Sequence, residues 1–139
     1  FQENGLLISV SLDILLKNPV FYDESKSVIS ILDSHSGIDY FISASSITDI
    51  FYIMNKKIDD KEKTKQYLSE LLEIVSIAGI DEVCIKNALN SSWKDFEDAV
   101  QHESAVQIRA DYIVTRNTKD YKSSFVEAIT PSDFLAKFN

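Results

Sequence analysis

Cysteine occurs once in these 139 residues, at Cys84, so the chain can form no internal disulfide and offers no cysteine cluster to a metal ion. Proline occurs twice and glycine three times. So little turn-forming material leaves few long irregular loops and predicts many helices with short connections. No apolar run approaches the ~20 residues that a membrane-spanning helix requires. The apolar stretch from Leu6 to Leu16 has no basic flank and no small-residue cleavage site, which argues against a secretory signal. Positive charge is also scarce: 14 Lys and Arg against 22 Asp and Glu give a net charge of −8. That balance speaks against a broad basic face holding nucleic acid. It leaves room for transient contact with RNA through bound metal, and it suits a partner bearing a basic segment. The expectation is a cytoplasmic protein with no membrane association.

What is present is ordinary for a globular domain: 45% hydrophobic and 26% charged residues. The length predicts one domain over residues 1–139 with a single substantial core; Phe1-Gln2 read as the remnant of a cleaved tag and carry no weight. Gly5 to Ser11 reads as a buried strand running into a helical turn from Leu12 to Lys17, and Asp23 to Asp33 has helical spacing. Tyr40 to Ser43 is a second strand, followed by a helix from about Ser45 to Asn55. A charged helix follows from Asp59, then a strand from about Ile74, a helix capped by Asp81, and a helix opened by Ser92. Tyr112–Thr115 and Phe125–Ile129 are the last strands, and Thr130-Pro131 starts a terminal helix. Alternation of this kind predicts an α/β protein: a three-layer α/β/α sandwich on a mainly parallel sheet of four or five strands.

Three groups of residues could carry chemistry. Asp95 and Asp98 lie three apart on one helix face, with His102 a turn beyond. Ser92-x-x-Asp95 also fits a capping box, which by itself accounts for an acid at a helix start. Asp49 follows the second strand, and Ser46-x-x-Asp49 fits a capping box in the same way. The loop Thr115-Arg-Asn117-Thr-Lys-Asp120-Tyr121 follows a strand, where open α/β sheets place their chemistry, although such residues also build simple turns. There is no Gly-rich phosphate loop and no covalent nucleophile with a partner base.

Taken in order, three segments resemble the PIN-domain nucleases, whose members include the VapC-type toxins of toxin–antitoxin pairs. They are Ile42-Ser-Ala-Ser-Ser-Ile-Thr-Asp49, Asp95-Phe-Glu-Asp98-Ala-Val, and Ala110-Asp111-Tyr-Ile-Val-Thr115-Arg-Asn117-Thr-Lys-Asp120-Tyr121. With Asp13-Ile-Leu-Leu-Lys-Asn-Pro, the resemblance spans about residues 6 to 138. It implies an endoribonuclease in which carboxylates hold Mg²⁺ or Mn²⁺ and water hydrolyses the phosphodiester. Asp49, Asp98, Asn117 and Asp120 would be the metal-binding set, Asp95 would join the catalytic acids, and Thr115 and Asp13 would support them. It also implies an RNA substrate, an antitoxin-like protein partner and a homodimer. The resemblance departs at the first strand, where the family's first Asp aligns with Leu7. A natural loss of catalysis, an altered N-terminal sequence and recruitment of Asp13 are the three readings of that departure. The loss predicts slow or absent cleavage with Mg²⁺, and its functional alternative is a catalytically impaired PIN-fold module that binds RNA or a protein.

Overall fold

The computed structural model of the chain describes residues 6–10, 37–115 and 117–138. The expected helical segments at Leu12–Lys17 and Asp23–Asp33, and Asp13 itself, lie outside the described residues. Among the described residues five strands make one sheet: β1 (Leu6–Val10), β2 (Ile38–Ser43), β3 (Val75–Ala78), β4 (Tyr112–Val114) and β5 (Glu127–Ile129). Their spatial order is β3-β2-β1-β4-β5, and every pairing is parallel. The described helices are α1 (Ala44–Ile58), α2 (Lys61–Ile74), α3 (Glu82–Leu89), α4 (Phe96–Gln107) and α5 (Pro131–Phe138), with a 3₁₀ turn at Thr118–Tyr121.

Adjacent residues on a strand face opposite sides, and β4 shows both layers at once. Val114 joins Tyr40, Ile42, Ile50, Met54, Leu68, Leu71, Val75, Ile129 and Phe134 in one cluster beneath α1, α2 and α5. Its neighbour Ile113 packs instead with Ala105, Tyr121 and Val126 on the α4 side. Two-sided burial explains why the strands read as continuous apolar runs rather than as alternating ones. The expected three-layer α/β architecture is present, with five strands.

Local signals set several boundaries. Asp60 caps α2 by accepting from the Glu62 and Lys63 amides at 3.1 and 3.2 Å. Asp81 caps α3 through Cys84 N at 3.0 Å, and Thr130 caps α5 through Asp133 N at 3.1 Å. Other boundaries move. The helix expected to end near Asn55 runs to Ile58, where Asp59 turns left-handed at φ 55° and its amide bonds back to Asn55 O. The strand expected from Phe125 begins only at Glu127. Ser124 occupies the earlier stretch by bonding both the amide and the carbonyl of Val126, which leaves Phe125 89% exposed.

The sheet register places the position that aligns with the first Asp of the resemblance. Leu7 pairs beside Asp39, three residues before the carboxyl end of β1 at Val10.

Candidate active site

Strand order reverses around β1: β2 and β3 lie to one side, β4 and β5 to the other. At such a reversal the connections leave in opposite directions and open a crevice beyond the carboxyl ends of the strands. The elements leaving β2 and β4 there carry Asp49 on α1 and the loop from Thr115 to Asp120, while α4 brings Asp95, Glu97 and Asp98.

Asp49 is freed of the local explanation that the sequence allowed. The cap of α1 is Ser43, not Ser46. Ser43 is fully buried, and its hydroxyl meets the Ser46 hydroxyl at 2.9 Å. The Ser46–Asp49 capping box is therefore not formed, and Asp49 lies in the second turn of the helix, half-buried. Its carboxylate meets that of Glu97. Glu97 is exposed as a side chain, yet partial desolvation of its carboxyl raises its pKa, and repulsion and a hydrogen bond from Asp49 and repulsion from Asp95 raise it further.

A raised pKa means that the folded protein keeps a proton the unfolded chain has released, so stability falls as pH rises through the raised value. Glu97→Gln in the metal-free protein is expected to melt higher than the unaltered chain at neutral pH and to lose that advantage in acid. Thermal melts across pH check it. Equal melting at every pH would mean that the pair is not strained.

Asp95 is itself the N-cap of α4: its Oδ1 accepts from Asp98 N at 2.9 Å. The expected Ser92–Asp95 box thus gives way to a helix starting at Phe96, and capping accounts for Asp95. Asp98, half-buried, accepts a hydrogen bond from the Tyr121 hydroxyl at 3.2 Å. Asp95, Asp98 and Asp120 line one cleft of about 490 Å³, with Lys94, Lys119 and Lys122 on its rim. Asn117 is exposed and opens the 3₁₀ turn, its amide donating to Thr115 Oγ1 at 3.2 Å. Thr115, 1% exposed, is anchored by its own amide to Ile129 O at 2.9 Å. It shapes the loop from beneath.

His102 lies in the core rather than in the cleft, and Phe96 is 48% exposed. The His102 imidazole is 1% exposed and stacks on Trp93 at 4.8 Å, and its Nε2 accepts from Phe125 N at 3.0 Å. Burial lowers its pKa, with Glu103 opposing. Its Nδ1 stands 3.4 Å from Glu103 without hydrogen-bond geometry.

Among the described residues, no three His, Cys, Asp or Glu side chains converge closely enough to hold a metal ion together. The donor set still fits one divalent cation chemistry. Mg²⁺ keeps several waters and is commonly bound through one or two carboxylates plus substrate phosphate. The Asp49–Glu97 contact is a two-carboxylate seat of that kind, since a cation would relieve the repulsion between them. Sequence reasoning assigned no role to Glu97, although it stands beside Asp98. The rim lysines Lys94, Lys119 and Lys122 were also missed, because a net negative charge hides a local basic cluster.

The sequence pattern of the PIN domain matches residues 9–119. Among curated proteins, no sequence matches significantly. Several solved structures share the fold. VapBC2 from Rickettsia felis, bound to a DNA fragment from its promoter, superposes with a TM-score of 0.61 at 15% identity, covering 90% of this chain and 98% of that one. VapBC-1 from nontypeable Haemophilus influenzae gives a TM-score of 0.63 at 12% identity, over 90% and 98% of the two chains. FitAB bound to a DNA fragment gives 0.62 at 18%, over 91% and 94%.

Proposed function

This chain belongs to the PIN-domain family, and from that premise we propose that it is a divalent-metal-dependent endoribonuclease acting as the toxin of a toxin–antitoxin pair. The observation that carries the proposal is the meeting of Asp49 and Glu97, from helices far apart in sequence, beside a cleft that Asp98 and Asp120 line. Local capping explains neither Asp49 nor the contact, and a carboxyl whose pKa is raised by burial and a neighbouring acid, as that of Glu97 is, marks a candidate site for chemistry. Likeness to the VapBC and FitAB structures supports the toxin reading and an antitoxin-like partner; a basic segment on that partner would complement the net charge of −8. A homodimer belongs to the same reading. Among the described residues, no helix is long and apolar enough to cross a membrane.

In this reading Asp49, Glu97 and Asp98 would supply the carboxylates for Mg²⁺ or Mn²⁺, no more than two of them to one ion, with Asp120 lining the cleft and Asn117 in the loop before it. A divalent cation supplies an activated water and offsets the charge that develops on the phosphoryl oxygens. The lysines set the substrate: Lys119 and Lys122 on the rim meet phosphates of a single strand drawn across the cleft, and their charge counters the repulsion that the acids impose.

The test is a cleavage assay on single-stranded RNA with Mn²⁺, with and without chelator. Slow, chelator-sensitive cleavage is expected, and the double variant Lys119→Ala, Lys122→Ala should raise KM while leaving kcat nearly unchanged. It should also flatten the salt dependence of RNA binding by about 0.7 per lost phosphate contact in log–log slope. One observation favours a second reading, a catalytically impaired PIN-fold module that binds RNA or protein: the acids gather in pairs rather than threes among the described residues. RNA binding without any cleavage in Mn²⁺ would select that reading and reject the nuclease.

A further inference from the structure

Gln101 lies on α4 one turn after Asp98 and is 6% exposed. Its side-chain Nε2 has no hydrogen-bond partner among the described residues. The Tyr121 hydroxyl stands 2.7 Å from Gln101 Oε1 and 3.2 Å from Asp98 Oδ1. A single phenolic proton cannot serve two acceptors at once. The two ends of an amide are told apart only by the network around them. Turning the Gln101 amide end for end places its NH₂ against the Tyr121 oxygen, where it gains a partner. The phenolic proton is then committed to Asp98. Every donor now points the same way, from Gln101 to Tyr121 to the Asp98 carboxylate.

The ring itself is fixed. Tyr121 is 4% exposed, packs with Ala105 and Ile113, and meets Trp93 edge-on at 5.3 Å. It is also the last residue of the 3₁₀ turn whose preceding residue, Asp120, faces the cleft. One turn of chain therefore presents an acid to the cleft and a buried donor to the acid on the neighbouring helix.

We infer that Tyr121, oriented by Gln101, is a positioning residue that fixes the Asp98 carboxylate for a divalent cation. The inference rests on the proposed function, which takes Asp98 as a ligand. Groups that hydrogen-bond a metal ligand from behind fix its orientation, and their loss costs about 10- to 100-fold in metal affinity.

The experiment measures Mn²⁺ binding by calorimetry, alongside melting with and without Mn²⁺, for Tyr121→Phe, Gln101→Met and Asp98→Asn. Tyr121→Phe keeps the ring and is expected to bind Mn²⁺ about 10-fold more weakly. Gln101→Met, which leaves the hydroxyl in place, should lose less in the same direction, and it carries the test if Tyr121→Phe does not fold. Asp98→Asn should lose the most. A merely structural role would lower melting of the metal-free protein and leave the affinity of the folded protein intact. If Asp98→Asn weakens Mn²⁺ binding while both other variants bind like the unaltered chain, the positioning role is overturned and the nuclease reading stands. If Asp98→Asn itself leaves affinity unchanged, Asp98 is no ligand, and the nuclease site and the inference fall together.

Discussion

Asp98→Asn is expected to reduce Mn²⁺-dependent cleavage of single-stranded RNA by a factor of about 100 or more, with little change in melting temperature. The substitution keeps the shape of the side chain and an oxygen to accept from Tyr121, so packing and the hydrogen bond at 3.2 Å can persist. It removes the negative charge, and an amide oxygen binds a hard cation far less well than a carboxylate. Removing one preorganised electrostatic group from a catalytic site typically costs ~100- to 1000-fold in rate. The assay compares initial rates for both proteins at several Mn²⁺ concentrations, because a loss that saturating metal repairs is one of affinity and a loss that persists is one of arrangement. Unchanged cleavage would place the active site elsewhere on the chain.

The largest expected loss of stability comes from Ile42→Ala. Ile42 is fully buried on β2, between β1 and β3, and it packs in the cluster that seats α1 and α2. Truncating a core aliphatic side chain of this size costs about 2–5 kcal/mol, because the lost transfer energy is joined by that of a cavity the rigid surroundings cannot close. A domain typically has only ~5–15 kcal/mol in total, so the variant should be visibly marginal. Urea unfolding should show a lower midpoint with an unchanged slope. It should also weaken the site indirectly, since β2 leads straight into the helix that carries Asp49. A stability loss of less than about 1 kcal/mol would mean that the sheet around Ile42 collapses to fill the gap.

The order of strands and helices and the capping of α3 and α5 could be read from the sequence because each follows from contacts between residues close along the chain, and the parallel sheet could be read because its strands alternate with helices. Apolar runs bounded by turn residues mark strands buried on both faces. Asp81 and Thr130 cap amides three residues ahead, a distance over which sequence order and spatial order are nearly the same. The family resemblance likewise lay in contiguous segments around Asp49, Asp98 and the Thr115–Asp120 loop. Even local rules failed, however, where more than one frame fitted. Ser43 and Ser46 are both acceptable starts for α1, as Ser92 and Asp95 are for α4. The choice fell to where β2 ends, at the buried Ser43, and to where Trp93 must turn inward to stack on His102.

What only the tertiary structure decided was pairing across distance. Nothing in the spacing of residues says that Asp49 meets Glu97, whose neighbour Asp98 points about 100° away around the helix. Nor could composition show that His102 is a core residue, that three lysines gather at the mouth of an acidic cleft in a chain of net charge −8, or that Leu7 lies level with Asp39. Strand register and helix rotation set those relations, and both are fixed by burial on two faces of the sheet at once. The kinds of residue available for the chemistry were determined along the chain; which of them stand together was determined by packing.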